Sequence, residues 1–554
     1  MTGPMLRFET SMLRNVTLFQ RAFGHRPTRR LPTPCTRRSR HAACAWPSVE
    51  VSTTYRRREP EKTVLYETVR DHLESFLEYA DSRNPGGAPL PKYVRQAFRR
   101  FLKCGILQHG FARVRCRACG FDSLVAFSCK ERSICPSCSS RRMADMAAHL
   151  VDHVVPRVPV RQWVLSLPRP MRYLLARDAG LLSGSLRIFA QEIFRHLRRA
   201  SGLKPVRQAL PGGVTAVQRF GGALNLNIHF HSLILDGVYG RDPAGKLVFR
   251  RCPVPTDAEL DRVLKRTARR IVGFLRKAGF HFEMDGTVAE EGNESPSLFD
   301  WIQGAAIREW LTLDGSPRPV PVVGRRPGPF EIRPPGKLTA RWMGFSLHAG
   351  VRIKARDREG LEKLCRYALR PAFSGERLEK LQDGRIAYGF RQPRADGSTH
   401  VILSPLELLE KLAALVPPPR AHLVVYHGVL GPHSKVRREV VPPEEADPGR
   451  CDNHKAGSGR PRRGKRKRLD WATLMRRTFA MDVLDCPRCH GRMKVIALID
   501  EPEAIRRILV SRGLPTEAPR AAPARPPPGQ QRFEFDQPEG DQVACRAPRN
   551  YFLK

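Results

Sequence analysis

An α+β protein is what this chain predicts, with a central antiparallel sheet, flanking helices and a small zinc-knuckle module ahead of them. Three observations predict it. Residues 224–231, Leu-Asn-Leu-Asn-Ile-His-Phe-His, alternate apolar and polar side chains without a fault, which is the period of a half-buried strand. Residues 61–101 and 357–371 carry apolar side chains at spacings of three and four, the period of a helix. Two Cys-x2-Cys pairs, Cys116/Cys119 and Cys135/Cys138, stand fifteen residues apart, a spacing suited to tetrahedral zinc.

Composition narrows the class. With 554 residues, 41% of them hydrophobic, the chain can bury the cores of several domains. Lys and Arg number 97 against 54 Asp and Glu, a formal charge of +43 spread along the chain. Such a field attracts polyanions, nucleic acid before a membrane surface. No apolar run approaches the length of a spanning helix, so no membrane partner is expected. Of 14 cysteines six form Cys-x2-Cys pairs, which suits metal binding in a reducing compartment and argues against a disulfide framework.

Taken in order, residues 1–54 hold only two acids, Glu9 and Glu50. That composition fits a presequence, and a basic extension with no fold of its own is the preferred reading. Leu65, Val69, Leu73, Phe76 and Leu77 mark a helical face, and with the cysteines they define a helical and zinc-binding domain over 55–158. Met143 to Val155 reads as a helix. A strand at Arg161–Leu167 is stopped by Pro168. Residues 214–220 form another, joined by the hairpin signal Gly221-Gly222 to the His strand. Residues 284–340 read as an insertion with one short helix near Trp301 to Trp310. The sheet resumes at Gly344 to Ile353, within a domain spanning 159–440. Residues 441–469 are a basic linker. Its GxxxxGK run, Gly459 to Lys465, is not a phosphate loop, because Arg466 stands where Ser or Thr would hold magnesium and no strand precedes it. A small C-terminal module spans 470–510, and residues 511–554 form a Pro-rich tail expected to be disordered.

Three constellations carry chemistry. Side chains alternate along a strand, so His229 and His231 project from one face about 7 Å apart at Cα, close enough to grip one metal ion. The plain alternative is a strand whose histidines face water. Two imidazoles leave room for a third ligand and a phosphate oxygen. Gln218 and His348 are candidates for that ligand. With a tight turn at Gly221-Gly222, Gln218 falls about 13 Å along the strand from His229, so a bulge or another register is required.

The four cysteines Cys116, Cys119, Cys135 and Cys138 predict one closed, structural zinc site. Cys104, Cys129 and His109 are near enough to substitute for a ligand or support one. Arg141 and Arg142, among the cations around this module, are candidate DNA contacts. Cys486 and Cys489 make half of another site, for which Cys451 and His454 are a candidate complement. In 357–371, Tyr367 lies about 120° from the apolar stripe, on a face shared with Lys363 and Arg370. A phenol exposed among cations is either a nucleophile whose neighbours bind phosphate or a surface aromatic that stacks on bases.

Together the block CGILQHG…CRACG…VAFSCKERSICPSC…RRMA, then RQWVLSLP, LNLNIHFHSLILDGVY, GFSLHAGVRI, LCRYALRP and VLDCPRCHGRM resembles one family. It is similar to the rolling-circle insertion-sequence transposases of the HUH superfamily, in the zinc-domain-bearing IS-ninety-one and ISCR group, from about Tyr55 to Ile499. The resemblance implies an HUH endonuclease core, with His229 and His231 as its motif for Mg²⁺ or Mn²⁺ and Tyr367 as nucleophile. It implies structural Zn²⁺ in the 116–138 knuckles. It also implies nicking and rejoining of single-stranded transposon ends and target DNA through a 5′-phosphotyrosine, in the bacterial cytoplasm at the nucleoid. Some members carry two tyrosines four residues apart. Here Lys363 and Pro371 occupy those positions, so the chain resembles the single-tyrosine variety. Two other readings stand beside it: an HUH replication initiator or relaxase, and a zinc-dependent DNA-binding protein without catalysis.

Overall fold

The computed structural model describes residues 57–83, 89–282, 288–290, 297–312, 317–324, 336–394, 396–441, 471–479 and 482–525. The expectations for residues 1–54, for the linker beyond 441 with its GxxxxGK run, for Cys451 and His454, and for the tail beyond 525 lie outside the described residues. Helices and antiparallel sheets are mixed, as the α+β reading expects.

Two compact units emerge. One takes the described residues of Met1–Pro60, Gly105–Ser128 and Pro461–Ala518; the other takes those of Glu61–Cys104, Cys129–Arg460 and Pro519–Lys554. The segment 55–158, expected as one domain, therefore contributes to both. The segment 470–510, expected as a module of its own, joins Gly105–Ser128.

The larger unit is built on seven strands: β1 (Val160–Ser166), β2 (Gly212–Phe220), β3 (Leu226–Leu235), β4 (Thr339–Trp342), β5 (Phe345–His348), β6 (Arg352–Ile353) and β7 (Val424–Gly428). They run antiparallel in the order β4-β5-β1-β3-β2-β7, with β6 also paired to β1. The alternation of β3 sets its two faces. Leu226, Ile228 and Phe230 are buried on one, where Phe230 stacks on Phe189 of helix α2 (Ala179–Ala200), ring centroids 6.2 Å apart. On the opposite face Val214 and Leu233 pack against helices α1 (Pro136–His153) and α3 (Arg358–Ala368). The polar face of β3 is thus covered by helices, and His231 is only 3% exposed.

Several boundaries differ from expectation for identifiable reasons. Helix α1 begins at Pro136 rather than Met143, because the Cys135 sulfur accepts from the Cys138 N–H as an N-cap and Pro suits the first helical position. The strand expected at 344–353 is broken into β5 and β6. At the break the buried Arg161 donates to the Ala349 carbonyl at 2.9 Å, while its Nε binds Asp236 at 2.8 Å. The link after β2 is no two-residue turn: Gly221 N–H bonds the Asn225 carbonyl at 2.8 Å, and Leu224 takes a left-handed φ of 55°. The insertion carries its helix at Leu298–Arg308. Residues of the expected tail dock on the helix Val64–Ser82, where Ala522 N–H reaches the Arg70 carbonyl and Arg525 N–H the Ser75 hydroxyl, each at 2.9 Å.

In the smaller unit Phe111–Cys116 is the middle strand of a three-stranded sheet, between Asp122–Ala126 and Met493–Ile499. Leu107, Phe111 and Leu124 form its core with Ile505 and Leu509 from the helix Pro502–Ser511.

Candidate functional site

Strand β3 presents both histidines to one place. The ring centroids of His229 and His231 lie 4.9 Å apart. His229 Nδ1 sits 2.9 Å from the Asn227 carbonyl, which can only accept, so Nδ1 carries the proton and Nε2 keeps a lone pair. His231 Nδ1 lies 2.9 Å from Gln162 Nε2 on β1, and His231 Nε2 is buried with no hydrogen-bond partner among the described residues. Burial drives His229 down to about 4, with Arg370 and Arg172 adding to the effect against the Asn227 hydrogen bond. Burial likewise brings His231 to about 2, helped by His229 and Arg370. Both rings are therefore neutral near pH 7, the form that binds metals.

Gln218 stands on the neighbouring strand, paired in register with His229. The ladder shifts between Gln218 and Phe220, where β3 holds one residue more than β2, since Phe220 pairs with Leu226. The longer turn from Gly221 to Asn225 shifts the tight-turn register by three residues and the bulge by one more, which together move Gln218 from opposite Asn225 to opposite His229. Gln218 Nε2 donates to the carbonyls of Tyr367 at 3.1 Å and Ala368 at 2.8 Å, at the C-terminal end of α3. Its Oε1 is left buried without a partner. His348 is not brought to this place. It pairs with Val164, which pairs in turn with His231, putting it two strands, about 10 Å, away.

Asp357 caps α3, its Oδ1 accepting from Gly360 N–H at 2.7 Å. Leu361, Leu364, Cys365 and Ala368 are the buried stripe, as the spacing predicts. Tyr367 is half-buried rather than exposed. Its ring meets His231 edge-on, centroids 5.6 Å apart at 84°. Of its two expected cations, Arg370 lies over the ring, 5.0 Å from its centre, and over Phe220 at 5.5 Å. Lys363 instead pairs with Glu359 at 2.6 Å. Arg370 Nε is buried without a partner among the described residues. Tyr388 lies buried in a separate four-stranded sheet, and Tyr426, on β7, pairs with Val214 of β2.

The four knuckle cysteines do not share one centre. Cys135 and Cys138 converge with Cys104 and Cys129, all four sulfurs lying within 4.8 Å of one another. Cys116 and Cys119 turn away to meet Cys486 and Cys489. Cys104 and Cys129 have no Cys-x2-Cys spacing to announce them. Neighbouring sulfurs in the first set are 3.5 to 3.6 Å apart, too far for a disulfide at about 2.05 Å and close to the ~3.8 Å edge of a tetrahedron with ~2.3 Å zinc–sulfur bonds. Hydrogen bonds from Cys129, Cys135 and Cys138 hold the Cys104 thiol far below its usual range, while the same crowding pushes Cys135 up. Four soft donors and no carboxylate suit Zn²⁺ in a closed, structural role. Arg141 and Arg142 lie exposed on α1, Arg142 bonded to the Lys130 carbonyl at 2.7 Å.

Two family models match. One, the transposase zinc-binding domain, covers residues 68–167 and so contains Cys104, Cys129, Cys135 and Cys138. The other, described as "Putative transposase", covers 212–438 and contains Gln218, both histidines and Tyr367. The chain belongs to the IS-ninety-one-type transposases. No curated protein and no solved structure matches it. Membership makes DNA the partner of this transposase and zinc its structural metal. Among the described residues no helix is long and apolar enough to cross a membrane. Sequence reasoning missed Gln162, because nothing in a strand's own pattern marks which polar residue will meet a histidine on the next strand.

Proposed function

We propose that this transposase is a single-tyrosine HUH endonuclease of the rolling-circle kind. It nicks and rejoins single-stranded DNA at transposon ends and target through a 5′-phosphotyrosine on Tyr367. The observation that carries the reading is the meeting of Tyr367 with His231, rings 5.6 Å apart, beside two buried atoms without partners, His231 Nε2 and Gln218 Oε1. With His229 Nε2 they make a set of two nitrogens and one oxygen that fits Mg²⁺ or, better with imidazole, Mn²⁺. His229, His231 and Gln218 would hold the ion, which when bound supplies Lewis-acid polarisation of the scissile phosphate.

The chain's own residues do the rest. For His231 Nε2 to offer its lone pair, Nδ1 must keep the proton and donate to Gln162, with that amide turned so that Oε1 accepts. Tyr367 Oη attacks phosphorus in line and loses its proton; the P–O3′ bond breaks, and the leaving 3′-oxygen gains one. Arg370 offsets the negative charge that develops there. The bond energy stays in the phosphotyrosine, so a 3′-OH reverses the step without a nucleotide cofactor. In this reading the catalytic domain is 159–440; Arg141 and Arg142 ahead of it and Lys363 within it are general phosphate contacts, and Arg370 meets the scissile phosphate.

Purified protein with Mn²⁺ and labelled single-stranded DNA from the flanks of its own gene tests this by denaturing electrophoresis. A protein–DNA adduct is expected, lost in Tyr367→Phe and His229→Ala, with DNA binding kept in Tyr367→Phe. An adduct that survives Tyr367→Phe moves the nucleophile elsewhere, for instance to Tyr388 or Tyr426. No adduct with any flank, despite tight DNA binding, favours a DNA-binding protein without catalysis.

A further inference from the structure

We propose that this transposase holds a second zinc ion, bound by Cys116, Cys119, Cys486 and Cys489, which clasps its C-terminal segment to its first Cys-x2-Cys knuckle. The four sulfurs lie within 4.8 Å of one another. Cys116 and Cys489 are 3.6 Å apart, as are Cys119 and Cys486, again near the ~3.8 Å edge of a tetrathiolate zinc. Cys486 and Cys489 lie outside both matched regions, 68–167 and 212–438, so family membership assigns this site only half its ligands.

The backbone is built for it on both sides. In each knuckle the residue after the second cysteine takes a left-handed conformation, Gly120 at φ 72° and His490 at φ 56°. Its N–H turns back to the carbonyl of the first cysteine, Gly120 to Cys116 at 3.1 Å and His490 to Cys486 at 2.9 Å. Two unrelated stretches of chain thus make the same turn toward a shared centre. Gly491 admits them: a Cβ there would stand 3.2 Å from Cys489 Sγ and 3.3 Å from Cys116 Sγ. The strand Met493–Ile499 then leaves the knuckle and pairs with Phe111–Cys116, Met493 directly across from Cys116.

Such a clasp spans 367 residues between Cys119 and Cys486, and cross-links over long loops remove the most chain entropy. The two centres differ in access. Each set has one half-buried cysteine, Cys129 and Cys119, but only the second has an exposed one, Cys489. The clasp is therefore the ion that a chelator reaches first. This inference stands apart from the tyrosine chemistry and can fail without it.

Elemental analysis of the full-length protein tests it. Two zinc per chain are expected, with one in the double variant Cys486→Ser, Cys489→Ser. Release to a chromogenic chelator should be biphasic, and the double variant should lack the fast phase. Cys486→His, which keeps a zinc ligand, should retain two ions. One zinc in the native chain, or two in the double variant, overturns the proposal. Should the double variant lose both ions through misfolding, Cys486→His decides: two ions sustain the clasp and one overturns it.

Discussion

Gln218 lies directly across the sheet from His229 and reaches past it to the carbonyl oxygens of Tyr367 and Ala368. One residue thereby links both halves of the candidate site: its amide nitrogen seats the tyrosine helix, its backbone pairs with His229, and its Oε1 is buried without a partner. Gln218→Ala should raise the Mn²⁺ concentration needed for adduct formation about 10–100-fold. Gln218→Glu separates the two roles, since it keeps an oxygen donor and loses the donor to the helix. It should hold Mn²⁺ and still form adduct slowly. Unchanged Mn²⁺ dependence in Gln218→Ala removes it from the donor set.

Arg370 has its charge over the Tyr367 ring and an unpartnered Nε. Arg370→Ala should slow adduct formation about 10²-fold, the scale of losing one preorganised donor at a developing charge. Affinity for single-stranded DNA should change only a few-fold. Arg370→Lys should not restore the rate, because an ammonium lacks the planar fork. Equal losses in rate and binding would make Arg370 a general phosphate contact.

Acid should weaken the fold. Burial pushes His427 down to about 4, and its ring meets the Thr215 hydroxyl at 3.0 Å. An unfolded histidine titrates near 6.5, so between those values the unfolded chain takes up a proton that the folded one refuses. The stability tied to neutral His427 is complete above about pH 6.5 and declines as pH falls toward 4, by on the order of 1–2 kcal/mol at pH 5. His229 and His231 act in the same direction. The thermal midpoint should be lower at pH 5 than at pH 7.5, and His427→Gln should flatten that slope; an unaltered slope excludes His427 as a cause.

Asp236 receives Arg161 at 2.8 Å and Arg352 at 2.6 Å, with Arg161 and Asp236 only 2% and 4% exposed. Asp236→Ala strands a buried guanidinium and should cost about 3–5 kcal/mol in urea unfolding. A loss below 1 kcal/mol would mean that water reaches Arg161.

Much of the site was legible from local pattern. The alternation through His229 and His231 put both rings on one face of a strand, and the three-and-four spacing from Leu361 to Ala368 marked the helix bearing Tyr367. Both are properties of a dozen consecutive residues, where backbone geometry ties side-chain direction to sequence position. The resemblance to IS-ninety-one-type transposases rested on the order of such motifs, and the family matches bear it out.

What pattern could not supply was which residues meet. Gln218 reaches His229 because the turn after β2 runs from Gly221 to Asn225 and β3 carries one extra residue at a bulge, and the alternation of β3 reads the same with or without either. Tyr367, off the apolar stripe, looked exposed until the sheet was packed against it. The cysteines are the clearest case: the nearest pairs in sequence, Cys116/Cys119 and Cys135/Cys138, belong to different centres, and Cys119 finds Cys486 across 367 residues. Periodicity is a short-range property of the backbone, whereas a metal centre is a closure among distant segments, chosen by how sheets and cores pack.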